Sequence, residues 1–294
     1  MPNVYFTKEI SPNSVLKLYE KLIEERGEEL PGKVAVKLHS GEIGNQNFLT
    51  PEIYKPTVDR VGGVAVECNT AYEGSRNTTD RHIKTLKKHG FSDAFPTDIL
   101  DAEGPDKVLE IPEGLRIKKN FVGRGIDKYD SLLVISHFKG HPMGGYGGAI
   151  KQLSIGLASS YGKAYIHGVG VTEDFWTSDH DSFLMSMADA AKSVMDIYRG
   201  KCAFISVMKN MSVDCDCCAK AEDPCMGDIG VLASLDPVAI DFACLDLIYG
   251  SNDAGKVHMI ERIESRNGLL TPRSAADIGV GSSEYRLVNI DSEV

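Results

Sequence analysis

The sequence predicts an α/β fold, a mostly parallel or mixed sheet with flanking helices. Three observations carry that expectation. Short β-branched runs alternate with longer amphipathic ones, the pattern of strand–helix units. One of these runs, SLLVISH at 131–137, is apolar enough to be a buried strand. PVAIDFACLDLIYG at 237–250 is apolar nearly all round, so it reads as a helix enclosed by the rest of the protein.

In chain order, SPNSVLKLYEKLIEERGEE opens with Ser11 as a cap and Pro12 in the first turn, and Val15, Leu18, Leu22 and Ile23 share one side of a surface helix. KVAVKLH reads as a strand, residues 51–60 as a helix and GVAVECN as a second strand. TTDRHIKTLKKHG is a helix closed by Gly90. Residues 91–130 are expected to make a small β excursion from the main sheet. SLLVISH leads into a glycine-rich loop, and AIKQLSIGLASS is expected to be helical after it. KAYIHG is expected to be a strand, residues 179–199 a helix and CAFISVMKN another strand. Asp236 caps the enclosed helix ahead of Pro237. Asp241 lies inside that helix, where a carboxylate needs a partner or a raised pKa. No repeat or Pro/Ser-rich linker divides the chain, so one domain over 1–294 is expected.

A chain of 294 residues is long enough for a substantial core. The net charge of −10, with acids spread along the sequence, argues against nucleic acid or an anionic membrane as partner, because both need a basic footprint. No apolar run approaches the roughly 20 residues of a membrane span. MPNVYFTKEI lacks the basic-then-apolar order of a signal peptide, and seven cysteines, four of them between Cys215 and Cys225, do not read as a disulfide framework. A cytoplasmic location is expected.

Open parallel sheets bind ligands beyond the carboxyl ends of their strands. His39, Asn69 with Thr70, His137, His167, and Asp214 with Cys215 each follow one of the expected strands, so one rim should collect them. The loop HFKGHPMGGYGGAIKQL is the densest glycine cluster. It fails the P-loop pattern, because Lys151 follows Ile150, and it fails the dinucleotide pattern, because Ile150 stands at the third glycine. Its physics still suits an anion: Gly144, Gly145, Gly147 and Gly148 let backbone amides approach a ligand, and a helix starting near Ala149 aims its N-terminus and Lys151 at the same place. Those glycines, Lys151 and Asn69 are the expected cofactor-binding set. His141, Lys151 and His39 are the expected catalytic set.

KLHSGEIGN, SHFKGHPMGGYGGAIKQLSIGLAS, CDCC and DIGVLASLDPVAIDFACLDLI resemble the DUF362 family over nearly the whole chain. Members of that family are often described as iron–sulfur centre proteins, and many carry a ferredoxin-like insert that this chain lacks. A shorter stretch is similar to the lactate racemase family. That resemblance implies proton transfer at His141, a nickel-pincer nucleotide tethered at Lys151 and nickel ligation by His167. The Asp-x-x-Thr-Arg segment of that family has only a loose echo in NTAYEGSRNTT.

VDCDCCAKAEDPC places Cys215, Cys217, Cys218 and Cys225 together, and Cys215 with Cys218 has C-x2-C spacing. With His167 they are the expected metal ligands, for a metal ion or an iron–sulfur cluster. Redox-reactive thiols, or no role, are the other readings of the loop. Cys68, Cys202 and Cys244 lie in apolar runs and are expected in the core. Three function classes remain open at this level. One is a cofactor-dependent isomerase or oxidoreductase acting on a small anionic metabolite. Another is a cluster- or electron-carrying protein with a ferredoxin-type partner. The third is a non-catalytic metabolite binder.

Overall fold

The computed structural model describes residues 1–292. Strand β1 (Asn3–Thr7) and helix α1 (Pro12–Arg26) precede β2 (Val34–Lys37), α2 (Pro51–Arg60), β3 (Val64–Glu67), α3 (Thr79–Lys88), the single turn α4 (Phe91–Ala94) and β4 (Thr97–Ile99). Strands β5 (Lys107–Glu110) and β6 (Lys119–Val122) form a separate antiparallel pair, the β excursion expected within 91–130. Next come β7 (Ser131–His137), the short antiparallel pair β8 (Lys139–His141) and β9 (Gly145–Gly147), and helices α5 (Ala149–Leu153), α6 (Ser160–His167) and α7 (His180–Ile197). Strands β10 (Cys202–Met208) and β11 (Gly230–Ser234), helices α8 (Pro237–Tyr249), α9 (Lys256–Ser265) and α10 (Leu270–Asp277), and β12 (Arg286–Asn289) complete the chain.

The main sheet runs β12-β1-β11-β10-β7-β2-β3-β4. Its five strands from β10 to β4 are parallel, while β11 is antiparallel to both β10 and β1. The sheet is therefore mixed and mostly parallel. Chain order runs outward from β2 to β4 on one side and from β7 to β10 on the other. The strand order thus reverses between β2 and β7, where open α/β sheets leave a crevice beyond the strand ends.

Alternation along the central strands serves two cores. Leu132 and Val134 of β7 face a cluster with Ala149, Ile150, Ala239 and Ala243, from α5 and α8. Leu133 and Ile135 face the other, with Val15, Leu18 and Leu22 of α1. Helix α1 begins as its sequence requires: Ser11 accepts from the Ser14 amide at 3.1 Å, and Gly27 closes it at φ 78°. Helix α8 is buried as its composition demands, and Asp236 accepts from the Val238 and Ala239 amides at 2.9 Å.

Two expectations need correction. KAYIHG is not a strand but the end of α6, which Ser159 caps by accepting from the Gly162 amide at 2.9 Å. Tyr161 and Tyr165, four apart, then pack their rings against Phe121 of β6, and the turn period wins over local β propensity. AIKQLSIGLASS is not one helix either. Helix α5 stops after five residues, and Ala158 bridges back to Val122.

The glycine-rich loop folds on itself for packing reasons. Gly145 takes φ 77°, and a Cβ there would lie 2.9 Å from the Gly268 Cα. At Gly148 a Cβ would lie 2.4 Å from Oδ1 of Asp241, whose carboxylate accepts from the amides of Ala149 at 2.7 Å and Ile150 at 3.1 Å. The same carboxylate accepts from the Tyr146 hydroxyl at 3.2 Å. Burial pushes the Asp241 carboxyl up to about 7, against these hydrogen bonds. The anion at the start of α5 is thus part of the protein, 92 residues away in sequence. Asp241→Asn would place an amide NH2 or a weaker acceptor against two donors. It should lower unfolding free energy by about 1–3 kcal/mol in denaturant titration. A change below about 0.5 kcal/mol would show that water replaces the cap.

Candidate functional site

A cleft of about 270 Å³ opens at the β2/β7 switch point. Lys37 and His39 reach it from the end of β2, Glu67 from the end of β3, and Arg76 from the loop beyond. Strand β8 contributes His141, α5 contributes Lys151, α6 contributes Lys163 and His167, and the loop after β10 contributes Cys217. Met143, Ile155 and Trp176 supply apolar wall.

Among the described residues Glu67 is the sole carboxylate lining this cleft, and it is fully engaged. One oxygen accepts from the Ser40 amide; the other lies 3.5 Å from Arg76 Nη1 and 3.3 Å from His82 Nε2. Burial works against the charged form, but the close approach of His82 and then the Lys37 charge hold Glu67 well below the usual carboxylate range. Arg76 Nε also pairs with Glu42 at 3.2 Å, with all three side chains buried. This network sets one wall before any ligand arrives.

The opposite wall is built on Asp216, which lies between Cys215 and Cys217. Its Oδ2 is 2.9 Å from His137 Nδ1 on β7 and 2.9 Å from Lys139 Nζ on β8. Arg262 donates to the Val213 carbonyl at 2.7 Å, and Asn45 donates to the Cys218 carbonyl at 2.8 Å. The cysteine loop is therefore pinned from several elements. Lys151 Nζ lies 4.0 Å from Cys215 Sγ, and Cys217 Sγ lies 3.9 Å from His141 Nε2. The hydrogen bond from Cys217, opposed by burial and aided by Lys151 and Lys139, holds Cys215 well below the ordinary thiol range. The same hydrogen bond, with one to Cys218, pushes Cys217 up. Of the two, Cys215 is the one whose thiolate form is favoured, and Cys217 is the one that lines the cleft.

The three cleft histidines are neutral, and backbone amides set the tautomers of His141 and His39. His141 Nδ1 accepts from the amides of Met143 at 3.1 Å and Gly144 at 2.9 Å, so the ring proton sits on Nε2. His39 Nδ1 accepts from the Gly41 amide at 3.0 Å, with the same result. Burial first, then the Lys151 charge, lowers His141 to about 4; burial and Arg76 lower His39 to about 4. His167 stacks on Phe183 with ring centroids 4.4 Å apart, and its buried Nδ1 has no hydrogen-bond partner. Burial, then His141, lowers it to about 3.

His141, Cys215 and Cys217 bring ligand atoms within 4.8 Å of one another, a group that could hold a metal ion. The sulfurs suit a thiophilic ion. His141 does not, because ligation through Nε2 would require its proton on Nδ1, where two amide hydrogens already point. Cys225 stands outside the group, with Sγ donating to the Met211 carbonyl at 3.2 Å.

Of the expected site residues, His39, His141, Lys151, His167 and Cys217 line the cleft, His167 from a helix end rather than a strand end. Cys215 lies buried behind Cys217, and Cys218 is half-exposed beside it. Asn69 does not line the cleft; it donates to Thr79 Oγ1 at 3.1 Å and contacts His82. Gly144, Gly145, Gly147 and Gly148 do not line it either, and the amides that start α5 belong to Asp241. Lys37, Glu67, Arg76 and Lys163 went unread in the sequence. Lys37 and Glu67 carried one signal, each being a charged residue at the carboxyl end of an apolar strand.

Fold and site together define an α/β protein with a basic, imidazole- and thiol-lined cleft at its topological switch point. A family model described as a domain of unknown function, DUF362, matches residues 34–246, and the chain belongs to that family. No curated protein matches the chain. Among solved structures, the lactate racemase apoprotein from Thermoanaerobacterium thermosaccharolyticum is similar at 15% identity and TM-score 0.43, over 69% of this chain and 50% of that one. A structural-genomics target from Thermotoga maritima is similar at 13% identity and TM-score 0.40, over 67% of this chain and 49% of that one. The chain spans about half the length of each.

Two outcomes follow. Arg76→Met leaves Glu42 and Glu67 buried without their cation and should cost about 3–5 kcal/mol in denaturant unfolding; a loss below 1 kcal/mol would show both carboxylates find water. In anaerobic Co²⁺ titration followed by thiolate-to-metal absorption, Cys217→Ser should weaken binding tenfold or more and His141→Gln should leave it within twofold. Equal loss in both would make Nε2 a ligand.

Proposed function

We propose that this chain is an enzyme that binds a small organic anion, a carboxylate or phosphate, in the cleft and moves protons on it. One observation carries the reading: Lys37, Arg76, Lys151 and Lys163 line a cavity whose single carboxylate among the described residues, Glu67, is already engaged. Arg76 is taken by Glu42 and Glu67 and Lys151 faces the Cys215 sulfur, but Lys37 and Lys163 have no carboxylate partner among the described residues, and that excess of positive charge calls for an anion from outside. Charge-assisted contacts from Lys151 and Lys163 would orient the anion. His141 offers an Nε2–H as acid, and neutral His167 offers a ring nitrogen as base, the division of labour that proton transfer at carbon requires. Isomerisation is the reaction class this supports best.

Of the cofactors implied by resemblance, the donor set supports at most a thiophilic ion held by Cys215 and Cys217. A four-thiolate iron–sulfur cluster would need Cys225, whose thiol is turned to Met211, and neither a nickel pincer at Lys151 nor a ferredoxin-type partner has support beyond the resemblance. The seven free thiols suit a reducing compartment such as the cytoplasm.

Thermal-shift and calorimetric titration with inorganic phosphate and with malonate should show saturable stabilisation. Lys151→Met should raise the dissociation constant tenfold or more, as expected for losing a contact worth about 1.5–3 kcal/mol, with circular dichroism unchanged. An unchanged dissociation constant, or no stabilisation by either anion, would overturn the reading.

A further inference from the structure

Lys37 is the residue in the cleft whose surroundings make least sense for a permanent cation. It ends β2, is 2% exposed, and yet lines the cavity. Buried lysines are ordinarily paired. Among the described residues no carboxylate lies within 4.0 Å of its Nζ, and its hydrogen bond goes to the backbone carbonyl of Leu38. The nearest acid, Glu67, has its oxygens taken by the Ser40 amide, Arg76 and His82. An ammonium has three hydrogens to place, and one acceptor is in reach. Two further features keep the amine available. Gly156 leaves room for the stem, since a Cβ there would lie 2.7 Å from Lys37 Cε. Lys163, likewise without a carboxylate partner and donating to the Ala158 carbonyl at 2.5 Å, stands as the neighbouring cation.

A desolvated lysine beside a second cation, open to an anion-binding cavity, is the arrangement that makes an amine a nucleophile toward carbonyl carbon. We propose that Lys37 forms a Schiff base with the substrate, and that the substrate class is therefore a small anion bearing an aldehyde or ketone, an oxo acid or a carbonyl phosphate. This rests on the anion-binding reading above and narrows it. In the step, the neutral amine of Lys37 attacks the carbonyl carbon, forming the C–N bond as the C=O π bond breaks, and one proton moves from that nitrogen to the oxygen to give a neutral carbinolamine. The carbinolamine then loses that oxygen as water, using a second proton, and leaves a protonated imine. No electrons are gained or lost overall. The imine makes the adjacent C–H acidic, which gives neutral His167 and His141 a proton to move.

Burial first, opposed by Glu67 and Cys68 and reinforced by Lys163 and Arg76, lowers Lys37 to about 8, so a working fraction is amine near neutral pH. Removing the Lys163 charge should raise that value and shift the reaction to higher pH.

The test uses the full chain with pyruvate, 2-oxoglutarate, glyoxylate and dihydroxyacetone phosphate, each with cyanoborohydride, read by intact mass and peptide mapping. One reduced adduct on Lys37 is expected with at least one probe, forming ten times faster than on any other lysine. It should be absent in Lys37→Arg, and its rate–pH curve should move to higher pH in Lys163→Gln. If Lys37→Arg does not fold, the wild-type peptide map decides alone. An adduct on Lys151 or Lys163 instead, or no adduct while inorganic phosphate still stabilises the protein, overturns the Schiff base and leaves the anion site standing. No adduct and no phosphate stabilisation removes both.

Discussion

The buried carboxylate of Asp216 is the contact on which the site depends. Flanked by Cys215 and Cys217, it reaches His137 and Lys139, so one side chain ties the loop after β10 to the end of β7 and the start of the β8–β9 pair. Two basic partners and full burial make this a pair whose disruption would strand a charge, and such pairs fix geometry more than they add stability. The positions of both sulfurs, and the approach of Lys151 to one of them, follow from that attachment.

A second carboxylate performs the matching task on the other side. Asp241 occupies the N-terminus of α5, which the glycine-rich loop would otherwise present to solvent or ligand. Helix α5 is thereby fixed in place: Asp241 caps its start, and Lys151 and Gln152 within it line the cleft. The protein spends its own acid on the helix dipole and keeps lysine charge for the cavity. Anion affinity therefore belongs to side chains in the cleft and not to loop amides.

The electrostatic character of the cleft follows from unequal pairing. Glu42 and Glu67 are matched by Arg76 and His82, whereas Lys37 and Lys163 have only backbone carbonyls. In a chain of net charge −10 this local excess of cations is a deliberate concentration, and the low dielectric around it strengthens any charge it meets. The imidazoles beside these cations stay neutral first because burial penalises their charged form, and then because protonation would add positive charge next to Lys151.

Local chemistry determined much of the fold. The alternation of apolar runs, the Ser11 cap, the Asp236 cap and the all-round apolar face of α8 are short-range signals, and the structure carries each one out. Strand-end placement likewise made His39 legible as a residue of the cleft wall, because the carboxyl-end rule needs only sequence order. What tertiary structure decided are matters of long-range partnership. KAYIHG became helix because Tyr161 and Tyr165 found Phe121 across the excursion. The glycine loop lost its free amides because Asp241 lies 92 residues further on. The cations of the cleft come from a strand, a loop and two helices, and a lysine's partner, or lack of one, depends on which acids the fold brings near. Periodicity and capping are written within a few residues of one another. Pairing of charges across a sheet is written only in the closed chain.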